Sequence, residues 1–403
     1  MEIRQEDGDD AMNRVVVAGT GFHPFGKFPE KSLKRLSAAA VKEALREAGI
    51  GLRQIEAAFV GNAFAGLTTG QESVRGQVIL RSIGLDGIPV VNVENACASG
   101  STALHQAWVS ILAGLHETVL VLGAEKLFVG NTARSIRAIS SAADVETMGS
   151  RGLQFTAIYA MGAKQYMKKY GATIEDIALV AVKNSRNGSL NPIAQFRKPL
   201  TVEQVLSSRM ISEPLTLYMC SSIADGAAAV ILMSERKARQ AGVRTPVYIR
   251  GCQIMSGIYQ RREGDDPRNA VAVAAERTYR QAGIGPGELD VVEVHDAAAS
   301  SEIPHLESLG LVPPGTGYEH LKRGRFHLDG DLPVNPSGGL LSRGHPVGAT
   351  GVAQVCEIVL QLRQEAGERN IRNGKKPRSG LCLNTGGRVG DDRAAIVTTI
   401  LSL

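Results

Sequence analysis

Glu47-Ala48-Gly49-Ile50-Gly51, leading into a strand-like run over 55–61, returns as Gln281-Ala282-Gly283-Ile284-Gly285 ahead of a second run over 289–295. Ala282 stands 234 positions after Ala48, as Asp296 does after Asn62. A helix that stops at a glycine and turns into a strand is a common unit, so chance is the competing explanation. Buried-strand patterns that open each copy, Val15-Val16-Val17-Ala18 and Val247-Tyr248-Ile249-Arg250, weigh against it. So long a period implies a duplicated half, not a solenoid. Outward from the first copy, the spacing predicts a helix over 33–48 ending at Gly49, a strand over 57–60, an apolar helix over 98–114 and a strand over 119–122. That alternation reads as βαβ units and a mostly parallel sheet. From 125 to 220 the pattern is helical and loop-like, with Asn187-Gly188-Ser189-Leu190-Asn191-Pro192 reading as loop, before a strand over 227–233. The expected halves are 13–242, carrying the 125–220 insertion, and 243–403.

Composition sets the bounds. With 403 residues the chain buries a core without staples, and its 43% hydrophobic and 21% charged content is that of a globular protein. A net charge of +5, with no basic–aromatic clusters, argues against nucleic acid. No apolar run is long enough for a transmembrane helix, and the acidic start over residues 1–10 is unlike a secretory or mitochondrial leader. Five cysteines without a CxxC indicate neither a disulfide framework nor a zinc ribbon, so a reducing cytoplasmic setting and no bound metal are expected. Glycine stands out at 45 residues, above the usual share of roughly 7%.

Four segments carry candidate chemistry. Glu94-Asn95-Ala96-Cys97-Ala98-Ser99-Gly100-Ser101 places a cysteine among small residues at the start of the 98–114 helix, where free N–H groups favour a thiolate or a developing oxyanion. A structural cysteine is the plain alternative. Gly344-His345-Pro346-Val347-Gly348-Ala349-Thr350-Gly351 holds a histidine in a glycine-rich turn before another amphipathic helix, suited to a general base; neither the Walker spacing nor GxGxxG is present. His295-Asp296-Ala297-Ala298 and Cys382-Leu383-Asn384-Thr385-Gly386-Gly387 each end a strand, where open α/β sheets place ligands.

Together and in this order, these segments resemble the active-site loops of the thiolase superfamily: C-x-S at Cys97-Ala98-Ser99, an HDxF-like loop at His295-Asp296, GHP at Gly344-His345-Pro346 and a CxG-like loop at Asn384-Thr385-Gly386. The His-Asp pair, Asn384 and Ile223-Ala224-Asp225-Gly226-Ala227 are similar to the sterol-carrier-protein type. The resemblance implies a duplicated five-layer αβαβα fold with a helical loop domain. It also implies thiolytic cleavage of a 3-ketoacyl-CoA, with coenzyme A as substrate and no bound cofactor. By the same resemblance Cys97 is the acylated nucleophile, His345 its base and His295 a holder of the thioester or enolate oxygen. The usual second cysteine is replaced by Asn384 in one loop and Ala297 in the other; Cys382, one pleat behind Asn384, is a candidate substitute, with a buried strand cysteine as the favoured alternative. Ala297 leaves room for a bulky aromatic or steroid acyl group. Lys183, Arg186, Arg197 and Lys198 are the loop domain's candidates for CoA phosphates, with a solvated charged face as the favoured alternative for each. A homodimer or larger assembly and a small zinc-ribbon/OB-fold partner are implied too. A ketosynthase-like condensing enzyme using the same Cys-His-His set is the runner-up; a retro-aldolase or a non-catalytic subunit fits Cys97 and His345 less well.

Overall fold

The computed structural model describes residues 14–259 and 269–403; the acidic start over 1–10 lies outside them. Eleven strands are found among these residues: β1 (Val15–Gly26), β2 (Ala57–Gly61), β3 (Val90–Val93), β4 (Thr118–Glu125), β5 (Met210–Ser212), β6 (Leu215–Thr216), β7 (Asp225–Ser234), β8 (Val247–Met255), β9 (Val291–Glu293), β10 (Ser379–Val389) and β11 (Asp392–Ser402). β5 and β6 make a small ribbon, and the other nine form one sheet in the order β3-β2-β4-β7-β1-β8-β11-β10-β9. Counted outward from the centre, β1-β7-β4-β2 on one side answers β8-β11-β10-β9 on the other. The place of β3 is taken by Val334, which bridges β9 in parallel. The repeated sequence is therefore a repeated half-sheet. The two half-sheets are joined edge to edge by two residue pairs, Val16↔Tyr248 and Val17↔Val247.

The sheet is not mostly parallel, as the alternation suggested. Only β2 with β3, β2 with β4, and β9 with β10 run parallel; the central pairings are antiparallel. The βαβ crossovers hold at the outer strands. β11 arrives by a hairpin turn and β7 after the long helical insertion, and both enter in the opposite sense.

Three apolar clusters fill the spaces around the two half-sheets. One joins β1, β2, β4 and β7 to helix Leu33–Ala48. A second lies between the half-sheets, built on helices Ser99–Leu112 and Thr350–Arg363. The third covers the C-terminal half-sheet with helices Ala270–Ala282 and Ala299–Ser308 and extends into the inserted helices Phe155–Tyr170 and Ile174–Ser189. Helix, sheet, helix, sheet, helix are the five layers. Asn187, Gly188 and Ser189, read as loop, close the second inserted helix instead. There Gly188 admits a close approach: a Cβ on it would lie 2.1 Å from Ser342 Oγ. No described helix is long and apolar enough to cross a membrane.

The two central helices are symmetry twins. Each runs fourteen residues and each follows a one-turn 3-10 segment, Ala96–Ala98 or Val347–Ala349. Their N-termini touch, with Gly100 against the Gly348 carbonyl and Gly351 against Ser101; a Cβ on either glycine would stand 2.6 Å from that neighbour. Two sets of free N–H groups, each carrying the positive end of a helix dipole, thus converge at one point.

Candidate active site

Cys97 sits at this convergence. Ala96 just before it has φ +48, an uncommon conformation for alanine. The turn is pinned by its own polar groups: Asn95 N–H donates to Ser99 Oγ (2.9 Å), Ser99 Oγ to Ala96 O (2.7 Å) and Ala96 N–H to Glu94 Oε1 (2.7 Å). The end of β10 lies directly on it, where a Cβ at Gly386 would stand 2.7 Å from Ala98 N and 3.0 Å from Cys97 N. Burial pushes the Cys97 thiol up to about 12, against the pull of the Gly387 N–H, so the resting group is S–H.

Cys97 Sγ and ring nitrogens of His295 and His345 all lie within 4.8 Å of one another. The imidazoles meet edge to face, with centroids 5.1 Å apart. Their hydrogen bonds fix opposite tautomers, assigned from the network. Thr350 Oγ1 donates to Pro346 O (3.2 Å), so at 2.7 Å from His345 Nδ1 it accepts that proton. His345 Nε2 is then a bare acceptor. Ser101 Oγ reaches two acceptors, Ala98 O (3.0 Å) and Asn384 Oδ1 (2.7 Å); the shorter bond, to Asn384 Oδ1, turns the Asn384 amide nitrogen toward His295 Nδ1 (3.0 Å). His295 Nδ1 therefore accepts and Nε2 carries the hydrogen. Burial, with Arg343 adding repulsion, lowers His345 to about 3; burial and His345 hold His295 well below the usual imidazole range. The site thus combines a neutral base, a neutral N–H donor and a thiol, the parts that acyl transfer through a thioester needs. A Cys-His-His set is also one that zinc accepts. The Asn384 bond, however, puts a proton on the His295 nitrogen left for a metal.

The loops are tied from behind. Glu125, at the end of β4, accepts from Ala63 N–H, Phe64 N–H, Asn62 Nδ2 and Gly348 N–H at 3.0–3.2 Å, joining the loop after β2 to the His345 loop. Asp296 accepts from Leu340 N–H and Asn184 Nδ2, both at 2.7 Å. Arg343 meets Glu293 at 3.2 Å with both side chains buried.

A cavity of about 1090 Å³ opens from Cys97, His295 and His345 and runs between the inserted helix Phe155–Tyr170 and the C-terminal half. Ala297 lines it, as its position suggested. Cys382 does not: it is buried in the layer between the half-sheets, and its role as substitute thiol is withdrawn. Lys183 is corrected as well. It is buried, with Nζ 3.1 Å from Glu302 and donating to Val334 O (2.7 Å), so no phosphate reaches it. Arg186, Arg197 and Lys198 are exposed outside the cavity walls. Sequence reading missed Cys220, Arg388 and Arg393, which line the cavity, and Thr350 and Glu125 behind it.

Comparison with known proteins agrees with this architecture. Residues 15–236 match the thiolase N-terminal domain and 257–399 the thiolase C-terminal domain-like family. An acetyl-CoA acetyltransferase of Methanothermobacter thermautotrophicus is 40% identical over 94% of this chain and 98% of its own. A benzoylsuccinyl-CoA thiolase subunit of Thauera aromatica is 36% identical over 93% and 95%. Bovine sterol carrier protein 2 is 36% identical over 90% of this chain and 69% of its own length. Among solved structures, the Ltp2-ChsH2(DUF35) aldolase superposes with a TM-score of 0.80 over 96% of this chain and 97% of its own, at 24% identity. With both halves matched and such relatives covering nearly its whole length, the chain belongs to the thiolase superfamily, in the sterol-carrier-protein-type branch, and is an acyltransferase.

Proposed function

We propose that the chain cleaves a 3-ketoacyl-CoA with coenzyme A in a degradative pathway, through an acyl-Cys97 thioester. The observation that carries this reading is the meeting of Cys97 with two neutral histidines of opposite tautomer at the head of a large cavity. The Cys97 proton passes to His345 Nε2 as sulfur attacks the C3 carbonyl. The C2–C3 bond breaks, and its electron pair becomes an acetyl-CoA enolate whose oxygen His295 Nε2–H holds. An oxyanion donor of this kind is worth about 2.7–4 kcal/mol.

The enolate then needs a proton at C2, and Cys220 supplies it. Its thiol lines the same cavity and is pushed up to about 11 by burial, so it stands protonated. Ser221 N–H donates to Ala297 O (2.9 Å), which lays the Cys220 segment beside the position where one branch carries its second cysteine. Incoming CoA returns its thiol proton to Cys220 and attacks the thioester, and Cys97 leaves, recovering its proton from His345. The size of the cavity suits a bulky acyl group. We also propose a homodimer or larger assembly through the exposed β3 edge and a small partner subunit. The second draws support from the relative that is itself a subunit and from the two-component aldolase.

The test is CoA-dependent cleavage of 3-ketoacyl-CoAs, with mass spectrometry of the protein. An acyl adduct on the Cys97 peptide is expected, and full thiolytic activity in Cys97→Ala would sink the reading. Cys220→Ser should still form the adduct while losing most of the exchange of acetyl-CoA methyl protons with solvent; undiminished exchange removes Cys220 from the scheme.

A further inference from the structure

The inner wall of the cavity carries a cation that the reaction scheme leaves unused. In the β10–β11 hairpin, Gly386, which presses on the Cys97 backbone, pairs with Ala395, and Arg388 pairs with Arg393. Arg393 is two residues along the strand from Ala395, about 7 Å farther from the nucleophile at the usual rise. Both arginines line the cavity.

Their situations differ. Arg388 is consumed by the hairpin, donating from Nε to Gly390 O (3.1 Å) and from Nη2 to Asp391 O (2.9 Å). Arg393 makes one side-chain hydrogen bond, from Nη2 to His305 Nε2 (3.0 Å). Burial and Arg393 itself keep His305 neutral, so it offers a lone pair and no charge. Asp392 Oδ1 forms an ion pair with Nη1 at 3.7 Å, longer than a hydrogen bond and leaving the rest of the fork open. That carboxylate is already taken by the N–H groups of Arg393 (2.8 Å) and Ile258 (2.9 Å). The acids on the cavity wall have donors of their own. Glu307 accepts from Tyr166 Oη (2.5 Å) and Gly315 N–H (2.9 Å), and Glu276 from Arg280 (3.0 Å). A guanidinium has five N–H groups in a planar fork, and that of Arg393, whose side chain is 32% exposed, keeps donors open toward the cavity it lines. A carboxylate meets such a fork with two parallel charge-assisted bonds.

We propose that Arg393 is a carboxylate-binding subsite for the acyl group, so that the preferred substrates are 3-ketoacyl-CoAs whose acyl chain bears a carboxylate. This rests on the thiolase reading above. A phosphate of CoA is the other anion within the same chemistry, and the experiment separates the two.

The probes are 3-oxoadipyl-CoA and 3-oxohexanoyl-CoA, equal in length and differing only in a terminal carboxylate or methyl. The wild-type protein should cleave the first with a kcat/KM at least tenfold higher. Arg393→Met should bring the two within about twofold while leaving the methyl-ended substrate unchanged, which also shows that the variant folds. Arg393→Lys, which keeps the charge but loses the fork, should fall between. No wild-type preference for the carboxylate overturns the proposal. An equal loss on both substrates in Arg393→Met overturns it too, and assigns the cation to CoA. Binding to Cys97→Ala, measured by calorimetry with the same two thioesters, gives a readout independent of turnover. If the wild type cleaves neither compound, the thiolase reading fails. The subsite then stands or falls on whether Cys97→Ala binds the carboxylated thioester at least tenfold tighter and Arg393→Met in that background abolishes the difference.

Discussion

Asn384 decides which nitrogen of His295 faces the cavity as a donor. As an amide it donates to Nδ1; as a carboxylate it would accept from Nδ1 and leave Nε2 without its hydrogen. Asn384→Asp is therefore expected to lower kcat by about 10²–10³, the usual loss for one oxyanion donor, with little change in KM. A loss confined to KM would show that His295 Nε2–H does not act in the transition state. Thr350→Val tests the other ring. Without its acceptor the His345 Nδ1–H loses the bond that fixes the tautomer, and a fall of about 10²-fold in adduct formation on Cys97 is expected, within the range general-base catalysis contributes. Cys97, His295 and His345 were legible in the sequence because each stands in a glycine-rich or small-residue turn whose chemistry is local. Their partners were not. Asn384 lies 283 residues from Ser101, and only the packing of two strand ends against one helix start brings them together. Lys183 shows the reverse error: a cation taken for a ligand group lies in a buried ion pair.

Strand and helix ends do the positioning. Helix Leu33–Ala48 agrees with the spacing at both ends, since its stripe of alanines and leucines and its left-handed Gly49 are local signals. β1 runs eight residues past the expected Ala18. Gly19 and Gly21 look like strand breakers. They are instead where the strand presses on that helix, and a Cβ at Gly21 would stand 2.1 Å from Ala40 O. Glu125, closing β4, is the joint between elements. Burial pushes its carboxyl to about 7 against the donors that pull it down, from an ordinary value of 4.5. The folded chain then binds a proton that the unfolded chain has lost between those values. Stability from this group falls as pH rises from 4.5 to 7 and is level above. Glu125→Gln removes that dependence and turns an NH₂ toward backbone donors, at a cost of about 1–3 kcal/mol. In urea unfolding the deficit of the variant relative to wild type should be larger at pH 5 than at pH 7.5. A constant deficit would mean that Glu125 does not titrate in this range.

Across the whole molecule, the inserted helices are fastened to the C-terminal half through buried charge. Lys183 and Asn184 meet Glu302, and Asn335 Nδ2 donates to the same carboxylate (2.8 Å). Lys183→Met leaves Glu302 without its counter-ion, and about 3–5 kcal/mol of stability is expected to go with it. A lowered Tm with the KM for CoA unchanged is the expected outcome; a raised KM with unchanged Tm would restore the phosphate role. Duplication was visible in the sequence because the helix–glycine–strand unit repeats with its local signals intact. The antiparallel centre was not, because strand direction depends on where long connections return.

The twin helices carry a last consequence. Matching their starts sets Cys97 of one half against Gly348 of the other, so the duplicated frame offers two equivalent positions of which the chain uses one. The unused position is closed: a Cβ at Gly348 would stand 2.7 Å from Ala124 O and 2.8 Å from Asn62 Cα. A cysteine there would wedge the halves apart, not add a nucleophile. One chain is thus held to a single turnover centre by the same contact that joins its two copies.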